Sequence, residues 1–330
     1  MIRTLILAGA LATTATVAAA QDYPERELLG VIMWGAGGAT DVVARAVTPA
    51  AEEALGTSIV MLNKAGAAGA LSTNYVQAAP SDGYTVLYGA ENPQLHGVMG
   101  MSEIDYDDFY PVNILGRGVG VIVASPDAPW DSFKDLVEDA QSRPGEIKMG
   151  STGPGGIPYT IGAMLSTVAD YEVTAVPFDG EGPGLTALQG GHVDFMPVGA
   201  SAASELIEAG TVKALAVFNA EEIEALPGVP PITADYPELE SLLPWGPFYG
   251  IFVKSDTPDD IKAKLVEAYK TAAETEKFQQ LMADSTNIMM NISGDEASAF
   301  LQQWQSATAW TLADAGAVKV SPEDLGIERP

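Results

Sequence analysis

The 330-residue chain is 47% hydrophobic, enough apolar surface for more than one core, so two domains are expected. A formal net charge of -28 argues against nucleic acid and anionic membrane surfaces, both of which would repel the chain. Cys stands at 0, which removes disulfides, a lipidation cysteine and a thiol nucleophile.

Residues 1–20, "MIRTLILAGALATTATVAAA", have Arg3 at a short charged start, an apolar stretch from Leu5 and a small-residue end at Ala18, Ala19 and Ala20. That pattern predicts a signal peptide cleaved after Ala20, and with it a periplasmic location. No later segment offers the roughly 18 apolar residues of a membrane span.

From Leu28 onward short apolar runs alternate with helical patterns, the signature of βαβ units and a largely parallel sheet. The runs "LLGVIM", "SIVMLN", "YTVLYG", "GVIVAS", "EIKMGS", "VTAVPF", "VDFMPV", "KALAVF" and "FYGIFV" read as strands. Helices are expected to begin near Asp41, Ala70, Ser132, Ile157, Pro183 and Ser201. Pro49 should interrupt the first of these, with Thr48 as cap and Pro49 opening a second short helix, because an interior proline costs about 3 kcal/mol. The Pro-rich stretch from Asn219 to Pro247 keeps Leu, Ile and Tyr residues and reads as a loop packed on a surface. After "FYGIFV" the chain reads as helix with few strands, the first of these helices capped by Thr257 with Pro258 at its first position. "VGVIVAS" and "FYGIFV" bracket a complete α/β segment. Residues 121–247 are therefore expected as a domain inserted into one built from 21–120 and 248–330, with two strands as hinge.

Four glycine-rich or polar loops follow strands: "WGAGGATD", "AENPQLHG", "STGPGGIPYT" and "FDGEGPG". In open α/β sheets ligands lie beyond the carboxyl ends of strands, so the four should share a cleft. The first and third lead into helix starts, where unpaired amides and a partial positive charge favour an anion, and glycine lets it approach. The same glycines also serve ordinary tight turns, with Thr40 or Asp41 as a plain N-cap. "GAGGAT" does not fit the dinucleotide spacing, and no phosphate-loop Lys followed by Ser or Thr occurs. Of the two histidines, His192 reads as a turn residue, while His96 divides evenly between facing the cleft and facing elsewhere. Asp179 and Glu181 could in principle share acid/base work, but no nucleophile or metal partner accompanies them. Neither catalysis, a cofactor nor a metal is expected.

The ordered runs "GVIMWGAGGATDVVARAV", "LGTSIVMLNKAGAAGA", "SDGYTVLYG", "IKMGSTGPGG", "VPFDGEGP", "LQGGHVDFM", "AGTVKALAVF" and "LPGVPPITA" resemble the substrate-binding proteins of tripartite tricarboxylate transporters, the Bug type. The resemblance runs from about Tyr23 to Gly316. It implies a periplasmic binding protein type II-like fold, two α/β domains that close on a small organic carboxylate and hand it to membrane permease subunits. A receptor-kinase sensor or an enzyme of the same fold would have the same cleft, and monomer is the default for a diffusing carrier. Carried over by position, Ala36, Gly37, Gly38, Ala39, Thr40 and Asp41 would face Ser151, Thr152, Gly153, Gly155 and Gly156 across the carboxylate. Glu91 and Asn92, with Asp179 and Gly180, would line the other walls. The chain departs from the family in having Met33 and Trp34 before the first glycines, Tyr159 where a histidine is common and Asp179 where a lysine is common. With Glu91 and Glu181 these departures make the expected rim acidic, or else the two acids near the fourth loop face solvent. An acidic rim disfavours tricarboxylates and suits a monocarboxylate, a zwitterion or a ligand with hydroxyl or aromatic groups for Trp34 and Tyr159.

Overall fold

A computed structural model describes residues 23–152, 156–178 and 181–330, so the leader expected at 1–20 lies outside the described residues. In chain order the elements are β1 (Leu28–Ile32), α1 (Ala39–Leu55), β2 (Ile59–Asn63), α2 (Ala70–Gln77), β3 (Thr85–Ala90), β4 (Phe109–Arg117) and β5 (Gly120–Ala124). Next come α3 (Phe133–Ser142), β6 (Lys148–Ser151), α4 (Ile157–Ser166), β7 (Thr174–Pro177), α5 (Glu181–Gln189), β8 (Phe195–Gly199), α6 (Ala200–Glu208) and β9 (Lys213–Phe218). The chain ends with β10 (Phe248–Lys254), α7 (Asp259–Ala273), α8 (Glu276–Asp284), β11 (Ile288–Ile292) and α9 (Gly294–Asp314).

Two sheets result, one ordered β11-β4-β10-β3-β1-β2 and the other β7-β6-β8-β5-β9. Neither is largely parallel: β1 runs parallel to β2 and β3, and β6 to β7 and β8, but β10, β4, β11, β5 and β9 pair antiparallel. The antiparallel strands are those that carry the chain between sheets or close a sheet after the return. β5 and β8 are buried along their whole length, which is why both read as unbroken apolar runs.

Pro49 does not break α1, which runs through it from Ala39 to Leu55. Val43, Val47, Ala51 and Leu55 recur every four residues and are buried, so tertiary burial of one face outweighs the proline. Pro49 itself is exposed, which leaves the carbonyl it cannot serve on the side open to water. At α7 the helix begins at Asp259 and Pro258 takes the cap position expected of Thr257.

The chain leaves the first sheet through Gly118 and Val119, between β4 and β5, and returns through the segment 219–247. That segment is packed, as expected, with Ile232 and Leu239 fully buried and Ile223, Leu226 and Leu243 nearly so. The outgoing and returning strands touch backbone to backbone. The Gly118 amide donates to the Pro247 carbonyl at 2.7 Å. Gly246 has φ +156, and a Cβ there would lie 2.1 Å from the Gly118 oxygen. α9 lies across the junction: Trp304 Nε1 donates to the Gly246 carbonyl at 2.8 Å and Trp245 Nε1 donates to Thr308 Oγ1 at 2.9 Å. Arg117, buried, donates to the Trp245 carbonyl at 3.1 Å and to Asn219 Oδ1 at 2.6 Å, tying both crossing segments together. Gly246→Ala is expected to lower unfolding free energy by more than about 2 kcal/mol in urea titration. Gly210→Ala, at φ +66 with open space around its Cβ, should cost only about 1 kcal/mol.

Candidate functional site

The loop after β1 is held by one carboxylate. Asp41 Oδ2 accepts from the Gly37 amide at 2.9 Å, and its Oδ1 accepts from Arg45 Nε and Asn63 Nδ2, each at 2.8 Å. Asn63 Nδ2 also donates to the Trp34 carbonyl at 2.9 Å, so β2 braces both ends of the turn. Burial pushes the Asp41 carboxyl up, but the Gly37, Asn63 and Arg45 bonds outweigh it and hold the group below the usual range. Within this loop Gly37, at φ +80, is the residue that needs glycine; Gly38 has φ -76 and tolerates other residues.

With Asp41 turned back into the loop, the start of α1 is left without a side-chain cap. The first intrahelical bond is from Val42 to the Gly38 carbonyl, leaving the Ala39, Thr40 and Asp41 amides without a helical acceptor. In the second sheet α4 and α6 also open on glycine, Gly156 and Gly199, without a side-chain cap and, unlike α1 with Asp41, without an acid in the first turn; at α6 the Ala200 amide donates to the Val119 carbonyl at 2.7 Å. By contrast α3 has a full capping box from Ser132 and Asp135, and α7, α8 and α9 carry acids in their first turns.

A cavity of about 660 Å³ lies between the two sheets, where these three helix starts meet. From the first sheet it is lined by Trp34, Ala39, Thr40, Glu91 and Asn92, and from the second by Thr152, Gly156, Ile157, Phe178, Glu181 and Ser201. Gly118, Pro247 and Tyr249 from the crossing strands form its back. Two side-chain atoms on this wall, Asn92 Oδ1 and Thr152 Oγ1, are buried without a hydrogen-bond partner among the described residues. Buried polar atoms are ordinarily paired, so these two mark positions where a hydrogen-bonding group from outside belongs.

The cavity is acidic. Burial pushes the Glu91 carboxyl up to about 7 against the pull of the Glu91 and Phe248 amides. Burial likewise raises Glu181, partly offset by the Gly199 amide, which donates to its Oε1 at 2.6 Å. Tyr249 between them is raised first by burial and then by the charges of Glu91 and Glu181. Among the described residues lining the cavity there is no Lys, Arg or His.

Of the residues expected from the sequence, Trp34, Ala39, Thr40, Glu91, Asn92, Thr152 and Gly156 line this cavity together. Ala36, Gly37 and Gly38 are exposed in the adjoining loop, and Asp41 braces it from behind. Ser151 and Tyr159 line a different cavity of about 640 Å³, beside Met149 and Tyr171. Gly153, Gly155, Asp179 and Gly180 lie outside the described residues. His96 does not face the cleft: it is fully buried, with Nδ1 3.1 Å from the Ile104 carbonyl and Nε2 3.0 Å from that of Ala68. Sequence reasoning passed over Gly199 and Ser201, although the loop after "VDFMPV" obeys the same strand-then-glycine rule as the others. It also passed over Tyr249, which no motif marks because it sits within a strand.

Two mixed α/β sheets joined by crossing strands, with a cavity between them, define the two-domain binding-protein fold. The chain belongs to the tripartite tricarboxylate transporter family receptors, whose family model matches residues 43–311. It is 26% identical to Protein BugT of Bordetella pertussis, over 96% of this chain and 98% of that one. The fold matches a TctC solute binding protein from Polaromonas, solved with no ligand, at TM-score 0.79 and 24% identity over 88% of this chain and 99% of that one. It also matches MatC from Rhodopseudomonas palustris with bound malate, at TM-score 0.67 and 26% identity over 88% of this chain and 98% of that one.

Because the folded-state value of Glu91, about 7, stands above its usual 4.5, its contribution to stability is complete below about 4.5 and is lost as pH rises through about 7. Glu181 shifts in the same direction. The melting temperature of the unliganded protein should therefore fall between about pH 5 and about pH 8, and Glu91→Gln should shrink that fall.

Proposed function

We propose that the chain is an exported, periplasmic and monomeric solute receptor that captures a small organic carboxylate and delivers it to the membrane subunits of a tripartite tricarboxylate-type transporter. The lobes in this reading are residues 21–120 with 248–330, and residues 121–247, which close about the crossing strands. The observation that carries the reading is convergence: the starts of α1 and α4, which lack a side-chain cap, and the Ser201 turn of α6, with the buried Asn92 Oδ1 and Thr152 Oγ1, meet at one cavity. Helix starts of this kind hold a carboxylate through main-chain amides and the helix dipole, and Thr152 can donate to it. Malate in MatC and the family's character support a carboxylate as ligand. Among the described residues no helix is long and apolar enough to cross a membrane, which fits a receptor working with separate membrane subunits.

The acidic wall narrows the class. A second or third carboxylate on the ligand would meet Glu91 or Glu181 with no cationic side chain in the described lining, at a cost of several kcal/mol per unpaired buried charge. Ligands with a single carboxylate are favoured over tricarboxylates.

A thermal-shift screen at millimolar concentrations tests this directly, since a ligand at 100 times its Kd stabilises the fold by about 2.7 kcal/mol. Monocarboxylates should raise the melting temperature and citrate should not. Thr152→Val should weaken the best ligand about tenfold in calorimetry while leaving the ligand-free melting temperature within a few degrees. Unchanged affinity in that variant would remove the α4 side of the cavity from the site.

A further inference from the structure

Glu91 and Glu181 come from different sheets and face one cavity, and neither has a cationic partner. Glu91 follows β3, at the end of the strand beside β10; Glu181 opens α5 in the other sheet. Neither takes part in an ion pair among the described residues, although Asp41, Asp82, Asp131, Asp139, Asp256, Asp259 and Asp314 all do. Arg117, buried in the crossing, donates to the Gly118 and Trp245 carbonyls and to Asn219, and forms no ion pair with either acid among the described residues. Tyr249 lines the same cavity as both acids.

The cavity therefore has two chemically opposite sets of groups. One set consists of donors: the Ala39 and Thr40 amides at the start of α1, the Ile157 amide at the start of α4, the Ser201 amide of α6 and the Thr152 hydroxyl; the Ala200 amide of α6 is already taken by the Val119 carbonyl. The other consists of acceptors: Glu91, Glu181 and the Asn92 carbonyl oxygen, which lacks a partner among the described residues. A carboxylate satisfies the first set and leaves the two glutamates of the second, which have amide donors, without a positive charge. A protonated amine on the same molecule satisfies the second, because an ammonium group carries donors alone and a full positive charge.

Resting on the carboxylate reading above, we propose that the ligand is a zwitterion, one carboxylate bound at the helix starts and one ammonium group held between Glu91 and Glu181 beneath Tyr249. Asn92 Oδ1 accepts a further ammonium hydrogen. Lobe closure brings Glu181 towards Glu91, so the ammonium is a bridge between sheets as well as a ligand group.

The test is calorimetry at neutral pH with a matched series: α- and ω-amino acids of two to six carbons, the corresponding unsubstituted monocarboxylates and the corresponding dicarboxylates. The best amine-bearing member should bind at least about tenfold tighter than its unsubstituted counterpart. Glu91→Gln and Glu181→Gln, which keep the side-chain oxygen and, at Glu181, so the Gly199 bond, should reduce that preference to less than about threefold. Binding of the amine should also release protons, seen as a heat that changes with the ionisation enthalpy of the buffer. Monocarboxylates or dicarboxylates binding as tightly as the amines, or a preference untouched by either glutamine, overturns the zwitterion while leaving a carboxylate receptor. Absence of binding throughout the series overturns both.

Discussion

Every α-helix begins with amides that its own backbone cannot satisfy, and the function proposed for this chain depends on where it leaves them. Three helices start on glycine at the same cavity, without a capping side chain. At α1 the cap position falls on Gly38, and the carboxylate of the first turn, Asp41, is turned to the Gly37 amide, Arg45 and Asn63. That diversion does two things at once. It freezes the loop that carries Trp34 to the cavity wall, and it frees the helix start for an anion from outside. Rigid presentation lowers the entropy lost on binding, which is how a few neutral amides can hold a carboxylate without an arginine.

The acids set the second constraint. A buried glutamate without a cationic partner is costly when ionised, and at Glu91 burial moves proton loss close to neutral pH. Neither Glu91 nor Glu181 has a cationic partner among the described residues. In the receptor proposed above they repel additional carboxylates and reward donors, so the cavity would discriminate by repulsion as well as by attraction. On that proposal, selectivity within a family named for tricarboxylates falls to Glu91 and Glu181.

Much of the fold was legible in the sequence because its strands are short apolar runs punctuated by glycine. Each of the nine runs read as strands coincides with one in the structure. β4 escaped notice because it contains Pro111, Asn113 and Gly116, residues that argue against a central strand. Pro111 is accommodated where β10 shifts register between Ile251 and Phe252, and Asn113 donates to Asn291 Oδ1 at 2.7 Å. Pro49 misled for the opposite reason: local propensity was weighed and the buried face of α1 was not. At the site, glycine loops announced the starts of α1 and α4, and Thr40, Asn92, Thr152 and Gly156, carried over from the family resemblance, line one cavity. Sequence could not say which way a side chain turns. Tyr159, two residues into α4, looks towards another cavity, whereas Ser201, in the corresponding part of α6, looks into this one.

The net charge of -28 argues against polyanions as partners and yet does not oppose a bound carboxylate. Charges on a solvated surface are screened over about 8 Å at physiological salt, so most of the acidic excess is invisible inside the cavity. What a ligand meets there is local: amide dipoles at a few ångströms on one side and two carboxyls on the other. A large nucleic acid or an anionic membrane, by contrast, spans many screening lengths and meets the whole surface at once. The same acidity that keeps the protein away from polyanions thus leaves selection of its solute to groups within the cleft, and the outcome rests on how the donors of α1, α4 and α6 are balanced against Glu91 and Glu181.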